Sequence, residues 1–347
     1  MHGHLELNAR VTGLLDRVVV EPGGLRARTA GETYESGSPQ QLVQKLSNVL
    51  YQTLHTGREK PLDVQPRTWR EAEFDQRLRE ATGDRVSPLT GHLVTGNAGN
   101  TGNAGNTGNT GNTGNAKIAE IAEDADHVVA VLDGVRVQVP ASAVLARAEH
   151  SVEVAVPSGR PGLSPGFFLA TSSLPATRGG ATLRLYARLD DPEAAPGVWK
   201  VLLDFLEEAR VPWRAKISSS RQLYPRNDAL VVYLPRPAWR IARGCAQALA
   251  DTGLLAAGTS PFTHPVNESV GCAFEPDERR LSRRDMSFGQ HRTHVLAEAL
   301  VQHAASADAA QGSVREAVAA AFIDAGIDPS EPARNLSSPV TEVLRTF

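Results

Sequence analysis

A small set of cations and hydroxyls stands in or beside segments patterned as strands. Arg184 alternates with Leu183 and Leu185 and shares its face with Tyr186 and Arg188. Lys216 lies between Ala215 and Ile217. Tyr224 and Arg226 fall in RQLYPRND, ahead of an apolar run, and His291 and Arg292 follow directly on SFGQ. An arginine fork donates two parallel hydrogen bonds, which makes it the natural anchor for a phosphate. Helix N-termini add backbone donors and a positive dipole. A lysine flanked by arginines has its ammonium form disfavoured by like charge, which frees it to act as a base. Each residue also has an ordinary structural role open to it. Arg184 fits a solvated strand, Lys216 an edge-strand charge that guards against aggregation, and Arg226 a turn paired with Asp228. From residues and spacing alone, these groups describe a phosphate-friendly α+β domain.

Other chemistries lack their signatures. His291 and His294 are three apart on a helix, but no third ligand clusters with them, so no metal is expected. There is no P-loop, no kinase set and no GxSxG elbow. No organic cofactor is expected either.

The elements that must position these groups follow from periodicity. Leu42, Leu46, Val49, Leu50 and Leu54 form one face of a helix over 39–56, and a second helix is expected near 68–82 with Trp69, Phe74 and Leu78. Residues 95–115 are seven triplets of the form TGN or AGN, which read as a disordered loop expanded by repetition. AEDADHVVAVLDGVRVQVP reads as a hairpin with a DG turn. Strands are expected at 181–189, 212–219 and 228–235, and helices at 196–211, 238–253, 291–304 and 313–327. This order suggests an α+β fold with a small, twisted, mostly antiparallel sheet covered by helices. The Pro/Gly-rich stretch at 158–173 suggests a boundary between an N-terminal region, 1–157, and a C-terminal core, 158–347.

Composition narrows the class. Of 36 basic residues only five are lysines, so a lysine inside an apolar strand stands out. The net charge of −3 gives no reason to expect nucleic acid. No apolar run approaches the roughly 18 residues of a membrane span. Cys245 and Cys272 have no CxxC spacing. A cytoplasmic protein with no membrane partner is expected.

Several stretches carry a resemblance to a known family. They are LSPGFFLA (163–170), LRLYARL (183–189), VPWRAKIS (211–218), YPRNDALVVYL (224–234) and, most specifically, DMSFGQHRTHVLAEALV (285–301). LVQKLSNVLYQTLHTGRE (42–59), with its His-x-Gly end, and AFIDAGIDPSEPARN (321–335) match more loosely. Together they resemble the HopA-type type III effectors of plant-pathogenic bacteria. Relatives of that family sit in clusters for class V lanthipeptides, lipolanthines and thioamide-bearing peptides. The resemblance implies a fold similar to the phosphothreonine lyases. It also implies a lyase that removes phosphate from phosphorylated Ser or Thr of a precursor peptide, giving dehydroalanine or dehydrobutyrine. The partner so implied is a separate aminoglycoside-phosphotransferase-like kinase. Carried over, Lys216 stands on the strand of the catalytic base, and Arg184, Arg226 and Arg292 bind phosphate. Arg184-x-Tyr186 matches the strand that carries Lys-x-His in phosphothreonine lyases. Because Tyr186 replaces that histidine, Tyr186, His291 and Tyr224 all stand as candidates for the acid. Asn227 stands where the family usually has cysteine. The other reading is a non-catalytic effector, or a scaffold that binds leader peptide and kinase.

Overall fold

A computed structural model describes residues 6–62, 71–93, 126–132, 134–175, 177, 179–306 and 312–339. The triplet repeat at 95–115, Trp69, and Asp133 of the DG turn lie outside the described residues.

Helix α1 (Ala9–Leu15) and a three-stranded antiparallel sheet, β1 (Val19–Val20), β2 (Arg26–Thr29) and β3 (Glu32–Glu35), precede the first long helix, α2 (Pro39–Leu50). Ser38 starts α2 by accepting the Gln41 N–H, and Pro39 takes a position whose N–H needs no partner. The expected helix over 39–56 is therefore present, but its last turn differs. Tyr51–His55 is π-helical. Helix α3 (Ala72–Thr82) buries Phe74 and Leu78 and stops at Gly83, whose positive φ suits glycine.

Five strands follow: β4 (Val86–Leu93), β5 (His127–Leu132), β6 (Val135–Pro140), β7 (Val144–Arg147) and β8 (Ser151–Pro157). They form an antiparallel sheet in the order β6-β5-β4-β8-β7, with a small core of Ala130, Val139, Val152 and Val154. The β5–β6 pair is the expected hairpin.

The remaining elements are β9 (Gly159–Ser164), β10 (Phe167–Thr171), β11 (Thr182–Leu189), α4 (Ala195–Glu208), β12 (Arg214–Ser218), β13 (Arg226–Pro235), α5 (Ala242–Ala250), β14 (His264–Pro265), β15 (Val270–Phe274), α6 (Phe288–Ala305) and α7 (Val314–Asp324). Seven of these strands pair antiparallel in the order β14-β15-β11-β13-β12-β10-β9. The fold is α+β.

Strand alternation divides the residues of this sheet between two cores. Leu183, Leu185, Ala187, Leu230, Val232 and Ile217 join α3, α4 and α5 in one. Trp199 of α4 lies in it, fully buried, and its indole N–H donates to Thr82 at 2.9 Å. Tyr186, Val231 and Ala273, from the opposite face, join α1, α2, α6 and α7 in the other. Helix α6 is buried on most sides, as a central helix must be.

Contacts divide the chain into two units, one of 1–83, 159–172 and 176–347, the other of 84–158 and 173–175. The first 83 residues thus go with the seven-stranded sheet rather than with the expected N-terminal region 1–157. The physical reason is packing: α2 lies on α6, and α3 on α4.

Candidate functional site

Two cross-strand rows place the basic residues. Val231 of β13 pairs with Tyr186 on one side and Lys216 on the other. Two residues on, Tyr233 pairs with Arg184 on one side and Arg214 on the other. Residues opposite one another across a pleated sheet share a face, so Arg184, Tyr186, Arg214 and Lys216 stand together around Val231 and Tyr233. Both guanidinium groups lie over the Tyr233 ring, at 4.8 Å for Arg184 and 5.2 Å for Arg214. Lys216 is half-buried, with its amine 4.0 Å from the Phe167 ring centroid. Among the described residues neither Arg214 nor Lys216 has a carboxylate within ion-pair distance.

Arg184 is buried and donates through Nε and Nη2 to both carboxylate oxygens of Glu275, whose side chain is 39% exposed. Its Nη1 lies 3.4 Å from the Tyr186 hydroxyl. Burial pushes the Tyr186 phenol well up, and Arg184 only partly opposes this, so the phenol keeps its proton.

Beside these rows lies a buried polar network. Arg226 donates to both oxygens of Asp228, at 2.6 and 2.9 Å. Burial alone would raise the Asp228 carboxyl, but Arg226 overcomes it and holds that group well below the usual carboxylate range. Tyr51 donates to Asp228 at 3.4 Å. The His55 Nε2 lies 3.7 Å from the same carboxylate, and its Nδ1 lies 3.0 Å from the Ser260 hydroxyl. Burial, with Arg226, Arg184 and Lys216 adding to it against Asp228, pushes His55 down to about 4. The Arg226 guanidinium lies 5.1 Å from the same Phe167 ring that Lys216 faces.

The other expected site residues stand elsewhere. Tyr224 packs in the core with Phe74 and donates its hydroxyl to the Ser218 carbonyl at 2.8 Å, so it holds β12 and does not face the rows. His291 has both ring nitrogens engaged, Nε2 with Glu278 at 3.2 Å and Nδ1 with Arg292 at 2.7 Å. Arg292 is fully buried, and its donors go to the Pro332 and Arg334 carbonyls, the Asn335 side chain and His291. It ties α6 to the 332–335 segment and has no fork left for a phosphate. Arg226 is likewise spent on Asp228, whose side chain is 6% exposed. Arg184 differs, because the side chain of its partner Glu275 is partly open to solvent.

The pairing of Arg226 with Asp228 is one of the roles the sequence leaves open to Arg226, and the structure makes it. His55 enters the sequence reading only through the His-x-Gly end, and Arg214, Tyr233 and Glu275 do not enter it. Arg214 nonetheless carries a signal, since it lies two residues before Lys216 on a strand and must share its face. The Ser287 N–H donates to the Gln290 side chain at 3.0 Å, so part of SFGQ is a helix start.

The sequence model of the HopA1 effector protein family matches residues 158–334, more than half of the 347-residue chain. The chain belongs to the HopA1 effector protein family. The matched HopA1 region holds both rows and Arg292. Two solved effector structures are similar to this HopA1-family chain. That of the effector protein from Pseudomonas syringae pv. tomato strain DC3000 shares 14% identity at a TM-score of 0.38, over 49% of this chain and 62% of that chain. That from Pseudomonas syringae pv. syringae strain 61 shares 16% at 0.37, over the same shares. This chain thus spans less than two thirds of either effector. No curated protein matches it. No helix among the described residues is long and apolar enough to cross a membrane.

Proposed function

We propose that this HopA1-family chain is a lyase that eliminates phosphate from phosphorylated Ser or Thr of a precursor peptide. The observation that carries the reading is the pair of rows, which sets Lys216 and Tyr186 beside two arginines that flank one tyrosine ring. Arg184 and Arg214 bind the phosphate, with Glu275 giving way to it. The amine of Lys216 takes the Cα proton. That electron pair forms the Cα=Cβ bond, the Cβ–O bond breaks, and phosphate leaves with its pair. The Tyr186 hydroxyl is the donor toward the leaving oxygen. Fixed cations that meet charge as it develops are often the largest catalytic term, and a positioned base adds a factor of roughly 10²–10⁴. A separate aminoglycoside-phosphotransferase-like kinase makes the phosphopeptide. Buried Cys245 and Cys272, both free thiols, fit a cytoplasmic setting.

The test is incubation of a phosphoserine or phosphothreonine peptide with the protein, read by mass spectrometry for loss of one phosphoric acid per site. Lys216→Arg should bind the peptide yet leave it phosphorylated, because arginine stays protonated. Arg214→Ala should raise KM roughly tenfold, about 1.4 kcal/mol of charge-assisted contact. Elimination by Lys216→Arg at the wild-type rate would remove Lys216 as base. Wild-type protein that binds phosphopeptide and releases no phosphate would instead mark a binding module, the effector or scaffold reading.

A further inference from the structure

Three stretches distant in sequence meet around one imidazole. His55 ends the π-helical turn and is 2% exposed. Such turns put one extra residue into a helix and often occur at functional sites. The segment His55–Gly57 is held on β13. The Asn227 N–H donates to the Thr56 carbonyl at 2.7 Å, and the Asn227 side chain to the His55 carbonyl at 3.2 Å. Gly289, in the first turn of α6, leaves room for the ring, since a Cβ there would stand 2.1 Å from the His55 Cδ2. The ring meets Tyr186 edge-on, with centroids 5.4 Å apart, and Phe288 at 5.9 Å.

We propose that His55 is a positioning residue for the elimination. Its Nδ1 accepts from Ser260 and its Nε2–H faces Asp228, so that one ring orients Tyr186 on one side and the Asp228–Arg226 pair on the other. This rests on the lyase reading. The tautomer follows from the partners: the Ser260 hydroxyl is free to donate to Nδ1, and a carboxylate accepts from Nε2–H. The uncharged state follows from burial, which keeps the ring's pKa near 4. Arg226 and Lys216 share the Phe167 ring, so a shift of Asp228 moves Arg226 and disturbs the seat of the base. The two ring nitrogens of His55 face Ser260 and Asp228, which leaves neither for a substrate. Its loss should therefore act on kcat and leave KM nearly unchanged.

The experiment compares wild type, His55→Phe, His55→Gln and Ser260→Ala with the phosphopeptide. His55→Phe keeps a ring of similar shape and loses both polar links. Its kcat should fall about tenfold to a hundredfold, the scale of a small misplacement at a reacting centre. His55→Gln, which can still accept from Ser260 and turn an N–H toward Asp228, should regain most of that loss. Ser260→Ala keeps the imidazole but frees its Nδ1, and it should lower kcat even if His55→Phe fails to fold. Turnover by His55→Phe at the wild-type rate, or no recovery by His55→Gln, would overturn the assignment. Nitrogen NMR of the imidazole in the full chain should show the Nε2–H tautomer at pH 6. A protonated ring or the opposite tautomer would overturn it whether or not the protein is a lyase. Wild type that releases no phosphate would sink the lyase reading and the kinetic role of His55 with it, while the tautomer and the uncharged state would still stand or fall by the NMR measurement.

Discussion

At the scale of single residues, the difference between Arg184 and Arg292 is one of partners. Both are buried arginines, yet Arg184 is held by a surface carboxylate and Arg292 by backbone carbonyls and the Asn335 side chain. Removing Arg292 would leave those buried acceptors and His291 without their donor, which is costly in a low-dielectric interior. Arg292→Ala should lower unfolding free energy by roughly 3 kcal/mol, measured by urea denaturation, with phosphopeptide affinity kept wherever the variant is folded. A variant as stable as wild type that has lost affinity for phosphopeptide would return Arg292 to the phosphate site. Neither arginine's partner was legible in sequence, because Glu275 and the 332–335 segment reach them only through tertiary contact.

At the scale of elements, the periodic helices, the alternating strand β11, the short strand β12 and the apolar run of β13 stand close to where their patterns put them. The π-helical turn and β15 did not show. The five residues of β15 are all buried and give no alternation to detect. The extra residue of a π turn shows in a pattern only as a phase shift in the turns that follow, and here the helix ends with the π turn, so the break at Tyr51 is silent in the pattern. Gly57, directly after it, carries a testable constraint. Its φ is +75°, and a Cβ would stand 2.6 Å from the Asn227 amide nitrogen. Gly57→Ala should therefore cost at least about 1 kcal/mol from the left-handed backbone alone. The Asn227 contact should add to it. A melting temperature equal to wild type would mean that the His55–Gly57 segment is not fixed on β13.

At the scale of the whole molecule, two buried imidazoles link stability to pH. His55 and His291 are both held near 4, the first by burial with its surrounding cations, the second by burial with Arg292 against Glu278. Their unfolded value is about 6.5. A lowered folded value means that the unfolded chain binds more protons between these limits. The full stability is present above about pH 6.5 and is lost as pH falls toward 4, by up to about 3 kcal/mol for each ring. Denaturant midpoints should thus hold steady from pH 8 to 7 and drop between pH 6.5 and 4. His291→Gln should flatten part of that drop. A midpoint independent of pH across this window would show that neither ring is buried as described.

The sequence by itself determined which residues could share a face. Period-two alternation places Arg184 with Tyr186 and Arg214 with Lys216, because side-chain direction along a strand is a local property of the backbone. The motif residues around LHTG, PRND and SFGQ were likewise legible as marks of a family. Only the tertiary structure decided that β13 stands between β11 and β12, with Val231 and Tyr233 joining the two pairs into one site. It decided between the two roles open to Arg226 in favour of the pair with Asp228, and it alone decided that Arg292 is occupied, that Tyr224 faces the other core, and that His55 meets the other two motifs. Strand order and the choice of partner for a buried charge depend on contacts between residues far apart in the chain, and local pattern carries no record of them.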